Sequence, residues 1–418
     1  MWIIFRLLIG IAILLIVEFY FIKRLNLAVK HFFPKFYENK FRLVRRIYLI
    51  WVNLYPLALL FIFTYFAITG SYLSSPENKI IDYLLIYPFW ISFLLMIQCV
   101  VFLIPLDIIK LVSLLFSKKN KLGIERIHSS ILFLIIGFFL LYVPIRIVYD
   151  YNSVSVREVE YKKENLTPSL ENFKLVFVSD IQADHYTDEG RLSNYINKVN
   201  SLNPDLILIA GDLITTGPDY IQLSAREVGK LKAKYGIYSC IGDHDNWAYR
   251  NDYEKSLREV KSALNYNGVE MIDNNIKVIN VDSASIAVTF ITATYVEDVP
   301  KVVLDSLSTN NNGEFKILLT HQPQPEIIET ARKSNFNLFL AGHTHGGQIT
   351  LVFPFIQLTP TMIETKYIRG DFWFDNMLMV VTRGLGMSLA PIRYNSTPEV
   401  TIITLRNNKL QISNRFKF

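Results

Sequence analysis

KLVFVSDIQ, residues 174–182, decides the fold, because it is an apolar run that ends in an acidic residue, Asp180. Asp205 to Leu213 repeats this arrangement as DLILIAGDL, in which Asp212 follows the apolar run. Continuous apolar runs of this length are typical of strands that are covered on both faces. Residues 191–203, between the two runs, have the apolar spacing of a helix. The alternation predicts an α/β domain with covered sheets.

Further segments of the same two kinds follow along the chain. A helix is predicted over residues 252–266, where apolar and polar residues alternate with helical spacing. The other predicted strands are residues 236–241, 286–293, 315–320, 338–341, 378–381 and 400–405.

Metal-ligand residue types follow these predicted strands. The chain has seven histidines, and five of them lie after residue 150. Ligands gather beyond the carboxyl ends of strands in folds of this kind, so these side chains are expected to converge at one edge of the sheets. Carboxylate and imidazole ligands together suit divalent Mn, Fe, Co or Zn. The residues at the strand ends are Asp180, Asp212, Asp243, His244, Asp245, His321, His343 and His345.

The amino-terminal third has a different composition. Four apolar stretches, at about residues 2–22, 47–69, 83–105 and 129–148, are each close to the length of about 20 residues that a membrane-spanning helix needs. They predict an α-helical four-span membrane module over residues 1–150. The polar segment 151–172 is predicted to be a linker, and residues 173–418 to be the α/β domain.

The net charge of +6 is unevenly distributed along the 418 residues. Residues 1–150 contain 16 Lys and Arg against 7 Asp and Glu, a charge of +9, whereas the remainder contains 27 against 30, a charge of −3. The basic residues lie in the loops before the second and fourth spans, and such loops stay on the cytoplasmic side. The lipid bilayer is therefore the expected partner and nucleic acid is not. This orientation predicts a multi-pass inner or plasma membrane protein whose α/β domain is extracytoplasmic.

Taken together, the strand-end motifs resemble the calcineurin-like metallophosphoesterase superfamily. The motifs are SDIQ at 179–182, GDL at 211–213, GDHD at 242–245, TH at 320–321 and GHTHGGQ at 342–348. The closing segment TRGLGMSLAPIRYNSTPEVTIITL, residues 382–405, is similar to the membrane-associated bacterial branch of that superfamily. The resemblance implies two packed β-sheets flanked by helices, and a centre of two divalent metal ions.

The resemblance also implies a role for each motif residue. Asp180 and His345 would hold the first metal, and Asp212 would bridge both. The second metal would be held by Asp243, His321 and His343. His244 would be the catalytic histidine beside the scissile phosphate, oriented by a carboxylate such as that of Asp245.

Two positions depart from the pattern of the superfamily. Gln182 stands where the first motif normally has histidine, and its carbonyl oxygen is a candidate metal ligand. Asp184 or His185 is an alternative source of a ligand there. Asp243 stands where the superfamily normally has asparagine, which adds a negative charge to the second site.

The expected activity is hydrolysis of a phosphate ester or pyrophosphate bond by metal-activated water, on a lipid-linked substrate at the extracytoplasmic face. Arg393 is a candidate phosphate contact, with a structural ion pair as the alternative. The apolar segment 351–374 is either a membrane-facing lip or an ordinary packed loop. Two other functions remain open: hydrolysis of UDP-diacylglucosamine at the cytoplasmic face, and a non-catalytic sensor or scaffold that binds phosphate ligands.

Overall fold

The computed structural model describes residues 2–70, 77–249 and 252–408, with the side chains of residues 2–7, 39 and 118 excepted. The chain forms two compact units. The first comprises Met1–Val148 together with Leu351–Leu358. The second comprises Tyr149–Thr350 and Thr359–Phe418.

Long helices make up most of the first unit, and four of them dominate it: Trp2–Phe32, Arg42–Thr69, Tyr87–Phe116 and Lys121–Asn152. Within the described residues, three helical segments are long and apolar enough to cross a membrane: Arg42–Thr69, Lys79–Phe116 and Lys121–Asn152. They contain the second, third and fourth predicted spans. The first predicted span, 2–22, is helical, but the side chains of residues 2–7 lie outside the described part, so a fourth crossing stays a prediction.

A β-hairpin from the distant segment 351–358 belongs to this helical unit. Its strands Leu351–Phe353 and Ile356–Leu358 pair antiparallel. The buried side chain of Gln98 donates from Nε2 to the carbonyl of Val352 at 2.7 Å and accepts from the Val352 amide at 2.8 Å. The apolar segment 351–374 is therefore divided, because its first eight residues pack with the helices and the rest lies in the second unit.

Two six-stranded sheets form the second unit. In spatial order, the first sheet contains Ser155–Lys163, Glu399–Asn407, Lys174–Val178, Leu206–Ile209, Ile237–Ser239 and Glu270–Met271. The second contains Gly370–Phe374, Met377–Val381, Leu338–Ala341, Phe315–Thr320, Ala284–Ile291 and Asn275–Val281. The strands that carry the motif residues are parallel to one another within each sheet.

Packing of the two sheets face to face creates the central core. Phe177 and Leu208 of the first sheet share one apolar cluster with Phe290, Leu319 and Leu340 of the second. The outer face of the first sheet is covered by Glu189–Asn200, Ile221–Val228 and Tyr253–Tyr266, and that of the second by Lys301–Thr309 and Pro325–Lys333. This is an α/β domain with two mixed, packed sheets between helices.

The predicted linker 151–172 is wrong for its central part. Ser155–Lys163 is a strand that pairs in parallel with Glu399–Asn407. Val159 and Tyr161 are buried, whereas the alternate residues Glu158 and Glu160 are exposed. The strand lies at the edge of its sheet, where charged side chains protect against pairing with another chain, and those charges concealed its period of two in the sequence.

Candidate metal centre

The motif loops meet at one edge of the sheets because parallel strands deliver their carboxyl ends to the same side. Two glycines allow the central loops to touch. A Cβ atom on Gly211 would lie 2.4 Å from the backbone nitrogen of Gly242, and one on Gly242 would lie 2.2 Å from that of Asp212. Neither position has room for a larger residue, and this close approach places Asp212 beside Asp243.

Several of the site residues have a left-handed backbone. The φ angles of Asp180, Asp212 and His343 are 52°, 58° and 69°. Such values are uncommon outside glycine and cost free energy, which the surrounding packing must offset. The sharp turns direct side chains from successive strand ends towards a common point.

The structure brings the predicted ligands into two overlapping groups. Asp243, His321 and His343 place one ligand atom each within 4.8 Å of one another, and so do Asp180, Asp212 and His321. His321 belongs to both groups, so the two candidate positions are adjacent. All of these side chains except that of His343 are fully buried.

The surroundings of the two ring nitrogens of His321 indicate whether a divalent cation fits this centre. Its Nδ1 lies 2.7 Å from the carbonyl oxygen of Ala210, which can only accept, so Nδ1 carries the proton. Its Nε2 has no hydrogen-bond partner in the described structure and faces Asp243 Oδ2 at 3.2 Å and Asp212 Oδ2 at 3.4 Å. A buried imidazole nitrogen that has no hydrogen-bond partner and faces two carboxylates fits a divalent cation, and the bond from the opposite ring nitrogen to a carbonyl is typical of metal-binding histidines.

The titration behaviour of the centre also fits cations. Burial, with the adjacent carboxylates of Asp180 and Asp243, raises the pKa of Asp212 to about 7. Burial opposes protonation of His321, but the carboxylates of Asp212 and Asp243 raise its pKa well above the usual value. Three carboxylates in a dry site need positive charge, which divalent ions supply.

Gln182 occupies the position at which the resemblance implies a histidine. Its Nε2 donates to Asp212 Oδ2 at 2.8 Å, while its Oε1 is buried with no hydrogen-bond partner among the described residues. An orphaned amide oxygen beside Asp212 is suited to ligate a cation. Asp184 does not substitute for it, because its carboxylate accepts the amide protons of Tyr186 and Thr187 and the hydroxyl of Thr215.

The two histidines of the GHTHGGQ motif occupy different environments. His343 Nδ1 lies 2.7 Å from Asp243 Oδ2. His345 is outside both groups of three, but its Nε2 lies 3.5 Å from Asp180 Oδ1. Burial lowers the pKa of His345 to about 3, so its ring is neutral, which is the form that binds metals.

His244 lies beside the carboxylate groups but is held by different contacts. Its Nδ1 lies 2.5 Å from the carbonyl oxygen of Thr215, which leaves Nε2 directed to the Ser388 hydroxyl at 3.2 Å. The prediction that Asp245 orients this ring is wrong. Asp245 accepts the backbone amides of Asp212, Leu213 and Gly242, so it holds the two central loops together, and Thr215 orients His244.

Arg393 has no access to a substrate, so the prediction that it contacts phosphate is also wrong. Its side chain is fully buried and donates to backbone carbonyls. These contacts join the GHTHGGQ loop to the closing segment of the chain, and burial lowers the pKa of the guanidinium to about 10. The acceptors are the carbonyls of His345, Arg383, Gly386 and Ser396, and Nη2 also lies 3.4 Å from the ring nitrogen Nδ1 of His345.

Sequence reasoning missed three neighbours of the second ligand group. The Nε2 of Gln322 donates to both oxygens of Asp243 at 2.9 Å, and the backbone amide of Tyr295 donates to Asp243 Oδ1 at 2.6 Å. Glu364 Oε2 lies 3.4 Å from His343 Nε2. Gln322 directly follows His321 and was detectable by that adjacency, whereas no local pattern marks the other two.

Two packed sheets with a carboxylate and histidine centre at one edge define a class of α/β proteins suited to bind two divalent cations. Residues 173–347 match the family described as calcineurin-like phosphoesterase. The metallophosphoesterase YkuE of Bacillus subtilis is 31% identical over 254 residues, which cover 59% of this chain and 83% of that protein. The chain belongs to the calcineurin-like phosphoesterase family.

Two further relatives differ in their descriptions. A zebrafish (Danio rerio) protein named transmembrane protein with metallophosphoesterase domain is 29% identical over 60% of this chain and 57% of its own length. The phosphodiesterase YaeI of Escherichia coli is 28% identical over 58% of this chain and 84% of its own length. The family is therefore found in proteins named for a membrane segment and in one named for phosphodiester hydrolysis.

Proposed function

We propose that this protein is a membrane-anchored phosphoesterase that uses two divalent metal ions to hydrolyse a phosphate ester or pyrophosphate bond. The observation that carries the proposal is the geometry of His321, whose buried Nε2 faces Asp212 and Asp243 between the two ligand groups. A divalent cation at this point would neutralise the two buried carboxylates and take this nitrogen as a ligand. Family membership supports the same activity.

The ligands divide between the two candidate positions. Asp180, Gln182 and His345 would hold the first ion, with Asp212 shared. The second would be held by Asp243, His321 and His343. Bound at these positions, Mn, Fe, Zn or Co ions supply charge neutralisation for the phosphate oxygens and a water molecule of lowered pKa.

His244 is the proposed proton donor to the leaving oxygen. Its Nδ1 proton is held by the Thr215 carbonyl, so Nε2 is the atom that carries a proton to or from the substrate. Ser388, whose hydroxyl lies 3.2 Å away, keeps Nε2 in place. Water attacks phosphorus and releases a proton to solvent, the bond to the leaving oxygen breaks, and that oxygen takes the proton of His244, which solvent then restores.

A cavity of about 580 Å³ next to the second ligand group is the proposed substrate pocket. His343, Tyr295 and Lys366 contribute polar groups to its lining, and Met362 and Ile363 contribute apolar ones. The side chains of Met362 and Ile363 are 49% and 92% exposed. Exposed apolar side chains beside a phosphate-binding centre support a substrate with an acyl or polyprenyl chain.

Activity can be tested on the purified full-length protein. With Mn²⁺ we expect turnover of an aryl phosphate diester or monoester, and at least a hundredfold loss on Asp212→Asn because the shared ligand is weakened. Asp305→Asn, which changes an exposed aspartate on the helix Lys301–Thr309, is the matched control. Full activity of the Asp212→Asn protein would overturn the dinuclear proposal.

The lipid-linked substrate needs a separate screen. Phosphatidic acid, a polyprenyl diphosphate and UDP-diacylglucosamine are offered in mixed micelles, each against a water-soluble ester of the same phosphate type. The proposal requires faster turnover of one of the first two lipids than of its soluble counterpart. Equal rates for lipid and soluble esters would contradict lipid linkage, and a preference for UDP-diacylglucosamine would favour the cytoplasmic reaction.

We also propose that the α/β unit is extracytoplasmic, as the basic loops favour. Cys99 and Cys240 are buried, so cysteines introduced at exposed positions are the reactive ones. An impermeant maleimide applied to intact cells should label Tyr266→Cys, whose parent residue is 91% exposed, and leave Lys119→Cys unlabelled. The reverse labelling would place the catalytic unit in the cytoplasm.

A further inference from the structure

A groove on the surface of the helical unit lies between the helices Trp2–Phe32 and Arg42–Thr69. Its volume is about 600 Å³, within the range of small-molecule sites. Much of its wall is apolar and exposed, since Leu15 and Phe19 are 53% and 70% accessible. The apolar side chains of the groove are Leu15, Phe19, Ile22, Leu27 and Leu49.

Two cations from different helices line the groove. Arg45 donates from Nη1 to Asn26 Oδ1 at 2.7 Å, which fixes its guanidinium against the opposite helix. Lys23 lies with Nζ 5.9 Å from the centre of the Phe19 ring. In the described part of the chain neither cation is within ion-pair distance of a carboxylate, so both charges are available to an anion.

Glu18 is the one acidic residue among those that line the groove, and its carboxylate is hydrogen-bonded to a residue outside the lining. Its buried carboxylate accepts from Asn53 Nδ2 at 3.0 and 3.1 Å. It lies more than one helical turn from Lys23, on the side towards the apolar centre of the helix. The groove thus has cations at one end and an apolar floor at the other.

We propose that this groove binds one anionic glycerophospholipid. The lipid phosphate contacts Lys23 and Arg45, and an acyl chain lies along Phe19, Ile22 and Leu49. Lys and Arg near a membrane surface attract anionic headgroups, and the planar guanidinium suits phosphate oxygens. The groove shares no residue with the candidate metal centre, and its binding of lipid does not depend on the proposed function.

The test uses the full-length protein in nanodiscs of phosphatidylcholine containing a small fraction of phosphatidylglycerol. Native mass spectrometry counts the phosphatidylglycerol that remains bound, and a titration gives its apparent affinity. The double variant Lys23→Ala/Arg45→Ala should lose about ten- to thirtyfold in affinity, since each cation contributes roughly one factor of five near the surface. Lys30→Ala/Arg46→Ala removes two exposed basic residues that do not line the groove, and it should bind as the unmodified protein does.

A second variant separates the groove from general charge attraction. Leu49→Trp fills the apolar part without changing the charge, and should also lower the affinity at least fivefold. Equal losses in the two double variants would mean that the basic loop attracts anionic lipid without a site, which overturns the proposal. Unchanged binding by Leu49→Trp, or no preference of the unmodified protein for phosphatidylglycerol over phosphatidylcholine, would overturn it as well.

Discussion

Gln322 donates its side-chain amide to both carboxylate oxygens of Asp243, at 2.9 Å each. Asp243 stands where the family resemblance implies an asparagine, so the site carries an extra negative charge. Gln322, together with the backbone amide of Tyr295, gives that charge three N–H contacts. The pKa of Asp243 lies well below its usual value, because hydrogen bonds and attraction from His321 and His343 outweigh its burial. The pairing keeps Asp243 ionised and oriented.

Replacement of Gln322 should therefore weaken metal binding. Gln322→Leu removes the donors and frees the carboxylate to rotate, so we expect the affinity for Mn²⁺ to fall about 10- to 100-fold. Isothermal titration calorimetry measures this without reference to turnover. The control is Gln222→Leu, at an exposed position on the helix Ile221–Val228. If Gln322→Leu bound Mn²⁺ with unchanged affinity, Asp243 would not need the hydrogen bonds of Gln322.

His244→Asn should slow hydrolysis according to the leaving group. An alkyl phosphate needs the proton of His244, so kcat should fall about 10²- to 10⁴-fold. A p-nitrophenyl ester leaves without protonation and should lose far less. Mn²⁺ affinity should be retained, and an equal loss on the two esters would contradict the role of proton donor.

Replacement of Arg393 should affect folding and not substrate affinity. Arg393→Met leaves four backbone carbonyls without their buried donor, at a cost of about 3–5 kcal/mol. We expect the melting temperature in detergent to fall by about 10 °C. The control is Arg258→Met, which replaces an exposed arginine. If Arg393→Met raised KM and left the stability unchanged, the predicted contact of Arg393 with phosphate would be restored.

Stability of the metal-free protein should fall as the pH rises. Burial opposes protonation of His343, but hydrogen bonds to Asp243 and Glu364 raise its pKa to about 9. A histidine whose pKa is higher in the folded protein than in the unfolded chain stabilises the folded state. This stabilisation is complete below a pH of about 6.5, which is the pKa in the unfolded chain, and it is lost as the pH approaches 9. In the presence of a chelator, the free energy of unfolding should fall by on the order of 2 kcal/mol over this pH range.

Added Mn²⁺ should remove most of this pH dependence, because the neutral imidazole is then held as a ligand. His343→Asn provides the matched comparison, since its chelated form lacks the titrating ring. A chelated unmodified protein whose melting temperature stays constant from pH 6.5 to 9 would contradict the charged state assigned to His343.

Much of the α/β unit could be predicted from local patterns. The strands Lys174–Val178, Leu206–Ile209 and Leu338–Ala341 contain uninterrupted apolar runs, because both of their faces are buried. The candidate metal ligands could be predicted for the same reason, since they follow apolar runs of this kind. The edge strand Ser155–Lys163 escaped prediction because its charged outward face breaks the apolar pattern.

The sequence by itself determined which residues end each strand and therefore which chemical groups reach the sheet edge. Only the tertiary structure decided how those groups are used. Asp245 and Arg393 have the residue types of catalytic and phosphate-binding groups, but backbone amides surround one and backbone carbonyls the other. Gln322 follows the motif residue His321, but its contact with Asp243, 79 positions away, has no counterpart in the local sequence. Hydrogen-bond partners depend on which distant loops come together, and neither apolar periodicity nor a short motif records that.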